Sequence, residues 1–135
     1  MTEVVRAATY KETRLSNVAL IVWTGLDGDD SGKAEKLAKF SDKTVHIYGT
    51  FGGATVTLYG SNDKTAVETD RDAGTLFGAK TAVWTALVDP QGNSIAKTAA
   101  SIEAVLENPL YILPVVTGGD GTTSLTVAIC GKKSI

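Results

Sequence analysis

One cysteine, one histidine, one methionine and three prolines in 135 residues leave little scope for several kinds of chemistry. With Cys130 alone, no disulfide can form within the chain, so the fold is held by its core or by partner subunits. A single histidine and a single cysteine cannot supply a usual zinc set, and any Ser-His-Asp or Cys-His arrangement would have to use His46. His46 lies in an alternating stretch, which reads as a side chain on an outer or interfacial strand face. Thirteen basic residues against fifteen acidic ones give a net charge of −2, so no global attraction to nucleic acid is expected. No long hydrophobic run is present. The longest, residues 18–23, is too short to span a bilayer, and the charged first fifteen residues do not read as a signal peptide. No nucleic-acid partner, membrane contact or cofactor is expected, and synthesis in a reducing cytoplasm fits.

What is present is ordinary for a globular domain: 43% apolar and 21% charged residues, and a chain long enough for one core. The organising stretch is residues 43–63, KTVHIYGTFGGATVTLYGSND. Val45 and Ile47 alternate with His46 and Tyr48, and Val56 and Leu58 alternate with Thr55, Thr57 and Tyr59. Period-2 alternation on both sides of Gly52-Gly53 predicts a β-hairpin.

Residues 1–17 are polar and aperiodic and read as an N-terminal arm, with Val4, Val5, Tyr10 and Leu15 available to bury on a neighbour. Residues 18–26, VALIVWTGL, predict a strand covered on both faces. Residues 33–40 fit a helical turn, with Ala34, Leu37, Ala38 and Phe40 apolar. Residues 64–80 read as a long surface loop, of the kind that is often interfacial. Residues 82–88 predict a strand, followed by a turn at Asp89-Pro90-Gln91-Gly92-Asn93. Residues 101–107, SIEAVLE, fit a short helix capped by Ser101, with Ile102, Val105 and Leu106 on one face. Pro114 places the strand at 111–116 on a sheet edge or at a bulge. Residues 122–130 form a last alternating strand after a glycine-rich turn at 118–121. Six or seven short strands with one or two short helices predict an all-β fold. Its architecture is an antiparallel β-sandwich of jelly-roll topology, with an arm at 1–17 and one domain at 18–135.

The acidic loop at 27–32 partly matches a calcium loop. Asp27, Asp29, Ser31 and Gly32 fall at the first, third, fifth and sixth positions, but Ala38 stands where a bidentate Glu is needed. A solvated turn is the simpler reading. Residues 28–33, GDDSGK, miss the spacing and the final hydroxyl of a phosphate-binding loop. Scattered carboxylates leave glycoside hydrolysis without a favoured pair. Tyr48, Tyr59, Trp84 and Tyr111 are candidates for stacking on sugars, with core or subunit interface as the competing reading.

Residues 45–63 resemble a family of tailed-bacteriophage virion proteins. In that family a Gly-Thr-Phe-Gly-Gly-Ala-Thr turn between strands leads into Gly-Ser-Asn-Asp. LVDPQGN at 87–93, IEAVLENPLY at 102–111 and VVTGGDGTT at 115–123 fit in order. The family often continues with Gly-Thr and a tryptophan. Here Lys64-Thr65 follows, then the 67–80 segment, with Trp84 only later. The resemblance implies no enzyme but a capsid decoration (cement) protein: a jelly-roll trimer on the virion surface that contacts the major capsid protein. A head–tail or tail component and a carbohydrate-binding module are its alternatives. Expected contact residues are Val4, Val5 and Tyr10 in the arm, and Asp70, Arg71, Asp72, Leu76 and Phe77 in the loop.

Overall fold

The computed structural model describes residues 5–12, 17–73, 77 and 81–133. Its strands are β1 (Val5–Arg6), β2 (Thr9–Glu12), β3 (Val18–Leu26), β4 (Ser31–Gly32), β5 (Glu35–Lys36), β6 (Asp42–Thr50), β7 (Thr55–Ser61), β8 (Thr85–Ala86), β9 (Ala96–Lys97), β10 (Ser101–Val105), β11 (Tyr111–Thr117) and β12 (Ser124–Lys132). One helix, α1 (Lys64–Ala73), and a 3-10 turn, Thr81–Val83, lie between β7 and β8.

Two sheets form. One runs β10-β6-β12-β3-β2; the other runs β1-β4-β11-β7-β8, with β5 also on β11 and β9 also on β7. Short edge pieces pair up: β4 with β5 acts as one interrupted strand, and so does β8 with β9. Counted that way, the strands from β3 onward number eight, and every pairing among them is antiparallel. The first pairs with the eighth, the second with the seventh, the third with the sixth and the fourth with the fifth. That nesting is a jelly roll, so the predicted fold class holds.

Within this topology the predicted hairpin is not one. β6 and β7 alternate as expected, but β6 pairs with β12 and β10 while β7 pairs with β11. The turn between them, with Gly52 at φ +57° and Gly53 at +86°, is a corner that carries the chain from one sheet to the other. Alternation reports which side chains point inward. It does not report which strand lies alongside, and Val45 and Ile47 meet Val56 and Leu58 in the core between the sheets.

Three further local expectations are corrected. Residues 33–40 form no helix: Glu35–Lys36 is strand β5 and 37–40 is a turn closed by the Phe40 N–H on the Leu37 carbonyl, with Ala34 packed outside the β11 sheet and Leu37 and Phe40 between the sheets. A single helical face could not serve both cores. Residues 101–105 form strand β10 along β6, so Val105 is buried while Ile102 and Leu106 stay 64% and 65% exposed. The strand at 82–88 shrinks to the 3-10 turn, the two residues of β8 and a bridge from Val88 to Ser94.

Pro114 sits in β11, which is central rather than an edge. It pairs with Leu58, whose own N–H and C=O bond Ile95 and Leu87 on the far side of β7. Pro114 therefore points its missing donor toward the break between β4 and β5, where no ladder bond is lost. Its ring also needs Gly32: a Cβ there would stand 2.6 Å from Pro114 Cδ and 2.7 Å from the Trp23 ring.

Candidate interaction surfaces

The four segments that carry the family resemblance hold strands and turns of the sandwich, and several residues in their turns have a structural task. Gly60 lets the chain pass Pro109 and Leu87; a Cβ would meet them at 2.6 and 2.8 Å. Ser61 Oγ accepts from the Asp63 N–H at 3.1 Å, and Asn62 Oδ1 accepts from the Leu110 N–H at 2.7 Å. Asp89 Oδ1 accepts from the N–H groups of Gln91 and Asn93, both at 3.0 Å. The Gly52-Gly53 corner and the 118–123 turn pack on one another, since Thr123 Oγ1 donates to the Phe51 carbonyl at 2.9 Å. The Thr122 hydroxyl, then the Thr122 N–H, bonds Asp120 and holds its carboxyl below the usual range.

The N-terminal segment straddles the sandwich. β1 runs parallel to β4 at the edge of one sheet, and β2 runs antiparallel to β3 at the edge of the other. Arg6 Nε pairs at 3.0 Å with the buried Asp30 Oδ2, which also accepts from the Asp27 N–H at 2.9 Å. Lys33 N–H donates to the Arg6 carbonyl at 2.7 Å. The acidic loop at 27–30 thus spends its buried carboxylate on the chain's own arm. Among the described residues no group of three or more His, Cys, Asp and Glu side chains could hold a metal ion. Tyr10 is 41% exposed and carries Lys39 Nζ 5.3 Å from its ring centroid. Val5 packs against the cluster outside the β11 sheet. Val4 lies outside the described residues.

The segment read as a loop is, over Lys64–Ala73, the helix α1. Asp63 caps it, its Oδ1 accepting the Ala66 N–H at 3.0 Å. The helix escaped the sequence reading because its apolar stripe is thin. Val67 is buried, and with Trp84 it joins Tyr111, Leu113, Val115 and Ala34 in a second core on the outer face of the β11 sheet. Phe77 belongs to this lid as well, its ring 4.5 Å from that of Tyr59. The salt bridges of Glu68 fasten it: Oε2 meets Lys64 Nζ at 2.9 Å and Oε1 meets Lys36 Nζ at 3.2 Å. Lys64, then the Tyr111 hydroxyl, then Lys36 hold the Glu68 carboxyl down to about 2. Of the expected contact residues in this segment, Asp70, Arg71 and Asp72 fall in the last turns of α1, and Leu76 lies outside the described residues.

Among the described residues no helix or strand lies over the opposite outer face, on the β6 sheet, which is bare of them. Register places Ile102, His46, Ala128, Val22 and Thr9 in one row across its five strands. The next row holds Ala104, Thr44, Cys130, Leu20 and Lys11. The β3 strand, predicted to be covered on both faces, is buried only at Ala19, Ile21, Trp23 and Leu26; Val18, Leu20 and Val22 are half-buried. His46 and Tyr48 lie on this face with ring centroids 4.4 Å apart. Tyr48 is 40% exposed, whereas Tyr111 and Trp84 are buried and Tyr59 packs on Phe77. Three of the four aromatics considered for sugar stacking are therefore occupied in packing.

A cleft of about 410 Å³ opens beside the end of β7, lined by Ser61, Asn62, Thr85, Glu107 and Pro109 among others. Glu107 is the one carboxylate among the described residues that line it. Its Oε2 accepts from the Val88 N–H at 2.9 Å, and its Oε1 is buried with no hydrogen-bond partner. Lys43 lies nearby. Its Nζ donates to the Phe40 carbonyl at 2.8 Å and to Asn108 Oδ1. Burial lowers the pKa of Lys43, against opposing attraction from Asp42 and Glu107. The lysine ties the 37–40 turn to the 106–110 connection and so holds one end of the sandwich.

No family model and no curated protein matches the chain. Among solved structures, the crystal structure of SPBc2 prophage-derived protein YomS is similar in fold. The TM-score is 0.53, with 12% sequence identity over 89% of this chain and 98% of that one. At this identity the likeness concerns the fold.

Proposed function

We propose that the chain is a structural protein of a tailed-phage virion, and that it acts as a capsid decoration protein which binds the outer shell and stabilises it. The observation that carries this reading is a convergence. Four segments that resemble phage virion proteins fall, in order, on strands and turns of one jelly roll, and a prophage-derived protein has a similar fold. The partners in this reading are the major capsid protein and further copies of the chain. The action is binding rather than catalysis.

The physics suits the role. A jelly roll with its corners locked by Thr123, Asp89 and Asn62 is a rigid block. An oligomer of such blocks that grips several identical capsid subunits binds tightly although each contact is modest. The test is the copy number in purified particles. A ratio near one to one with the major capsid protein is expected. About six to twelve copies per particle would assign the chain to the portal or tail instead.

A further inference from the structure

We infer that the bare outer face of the β6 sheet is covered by the same face of a second copy of this chain. The inference rests on the proposed function and deepens it, because it names the surface through which two copies of the chain pair; such a twofold contact makes a dimer, not the trimer that the resemblance implies.

The face is unlike an ordinary solvated sheet surface. A sheet with one wet face alternates apolar inward with polar outward. Here the outward positions of the central strands are Leu20 and Val22 on β3, Ala128 and Cys130 on β12, and Ile102 and Ala104 on β10. Between them β6 supplies Thr44, His46 and Tyr48, all exposed. From Tyr48 and Thr126 to Thr44 and Cys130, β3, β12, β6 and β10 present neither Asp, Glu, Lys nor Arg outward. The first charges come at the margin, where Lys11 stands on the edge strand β2 opposite Leu20, and Asp42 and Lys132 are register partners of opposite sign. Two identical faces can therefore meet without like charges opposed at their centre, which is the requirement for an isologous contact.

The size fits a pair. Five strands at about 4.8 Å spacing, and the seven residues from Asp42 to Tyr48 at about 3.4 Å each, span roughly 24 Å by 24 Å. Because β10 runs for only five residues and β2 for four, the sheet within that frame is roughly 500 Å² per copy and about 1,000 Å² for two, charged margin included. A specific interface should clear about 1,000 Å² in total. The other outer face has no comparable area to offer, since α1, Phe77 and Trp84 already lie on it.

The experiment uses the full chain. Sedimentation velocity at micromolar concentration is run on the wild type, on Ile102→Lys and Ala128→Glu, and on Gln91→Lys as a control in the Asp89 turn. Circular dichroism and thermal melting establish that each variant is folded. The expected result is an oligomeric wild type, with dissociation constants raised at least tenfold in both face variants and unchanged in the control. Ile102 is 64% exposed, so its lysine variant keeps the test alive if Ala128→Glu does not fold. A wild type that is monomeric at 100 μM (about a hundredfold above micromolar assembly), or face variants that assemble like the wild type, would overturn the inference. Binding to capsid shells lacking the protein is measured in parallel. Wild type that assembles through this face but ignores shells sinks the decoration role and leaves the inference standing. Monomeric wild type that binds shells does the reverse. Face variants that stay oligomeric but lose shell binding assign the face to the capsid and overturn the inference.

Discussion

The two outer faces of the sandwich began with the same problem and solved it differently. On the β11 sheet, six consecutive residues from Tyr111 to Val116 are buried, because the odd ones feed a second core beneath α1 and the even ones feed the core between the sheets. On the β6 sheet, β6 alternates strictly between buried and exposed from Lys43 to Tyr48, and the outward positions are not charged enough to be content in water. One face is sealed by Val67 of α1, Phe77, Val83 and Trp84, all from the segment between β7 and β8. The other is left for something else. A continuous apolar run in a strand therefore means two covered faces only if the cover belongs to the same chain. β3 has such a run, and its outer side is half-exposed.

The contrast can be broken most severely at Trp84, which is 6% exposed and fills the second core. Trp84→Ala is expected to cost about 3–5 kcal/mol in urea denaturation. Ile102→Ala on the bare face is expected to stay within about 0.5 kcal/mol at concentrations where the chain is monomeric. Equal losses would dissolve the distinction. Next comes the arm that closes the sandwich edge beside both faces. Asp30→Ala removes the partner of Arg6 and of the Asp27 N–H, and should cost about 1–3 kcal/mol. Hydrogen exchange at Val5 and Arg6 should rise while exchange in β12 is unchanged.

A smaller effect is expected at the cap of the lid. Asp63→Ala leaves the Ala66 N–H without its acceptor and should cost about 1 kcal/mol. The smallest is a pH effect confined to the sealed face. Glu68 is held at about 2 against an ordinary 4.5. A depressed carboxyl adds stability that is complete above its unfolded value and lost as pH falls through its folded one. The lid should therefore loosen between about pH 4.5 and 2, seen as a change in Trp84 fluorescence, and Glu68→Gln should flatten that response. A wild-type profile identical to that of the glutamine variant would mean that Lys64, Tyr111 and Lys36 do not hold the lid.

Most of this architecture is legible in residue spacing, and all but one of the departures from it share one cause. Val45, Ile47, Val56, Leu58, Leu125, Val127 and Ile129 were marked as inward by their period of two, and all are buried. The topology was legible as a class, from many short strands with turn residues between them. What spacing could not reveal was the partner of each strand. The Gly52-Gly53 turn carries the torsions of a hairpin, yet it joins strands of different sheets, because pairing is decided by the whole nest of eight strands. Ile102, Val105 and Leu106 match a helix as well as a strand, and only the open edge of β6 selects the strand. The lid was missed for a different reason. Asp63 ahead of a run with Val67 is a capping signal, but one buried valine in a ten-residue helix with seven polar residues is too faint a stripe to weigh against the surrounding charge. On the interaction surfaces, Tyr10 and Phe77 stand in segments whose length and lack of periodicity point to contact with a neighbour, and the structure gives them intramolecular contacts with Lys39 and Tyr59. The bare face was hidden in plain sight within strands that looked buried on both sides.

The most direct measurement is the alkylation rate of Cys130, a native thiol that lies half-buried on the bare face. It is followed with a small maleimide across protein concentrations from submicromolar to 100 μM (the range over which weak to moderate assembly is read). If the two faces differ as described, the rate falls at least tenfold as copies cover one another, and Ile102→Lys restores the fast rate at every concentration. A rate independent of concentration in an oligomeric wild type would contradict the account, since assembly would then be using some other surface.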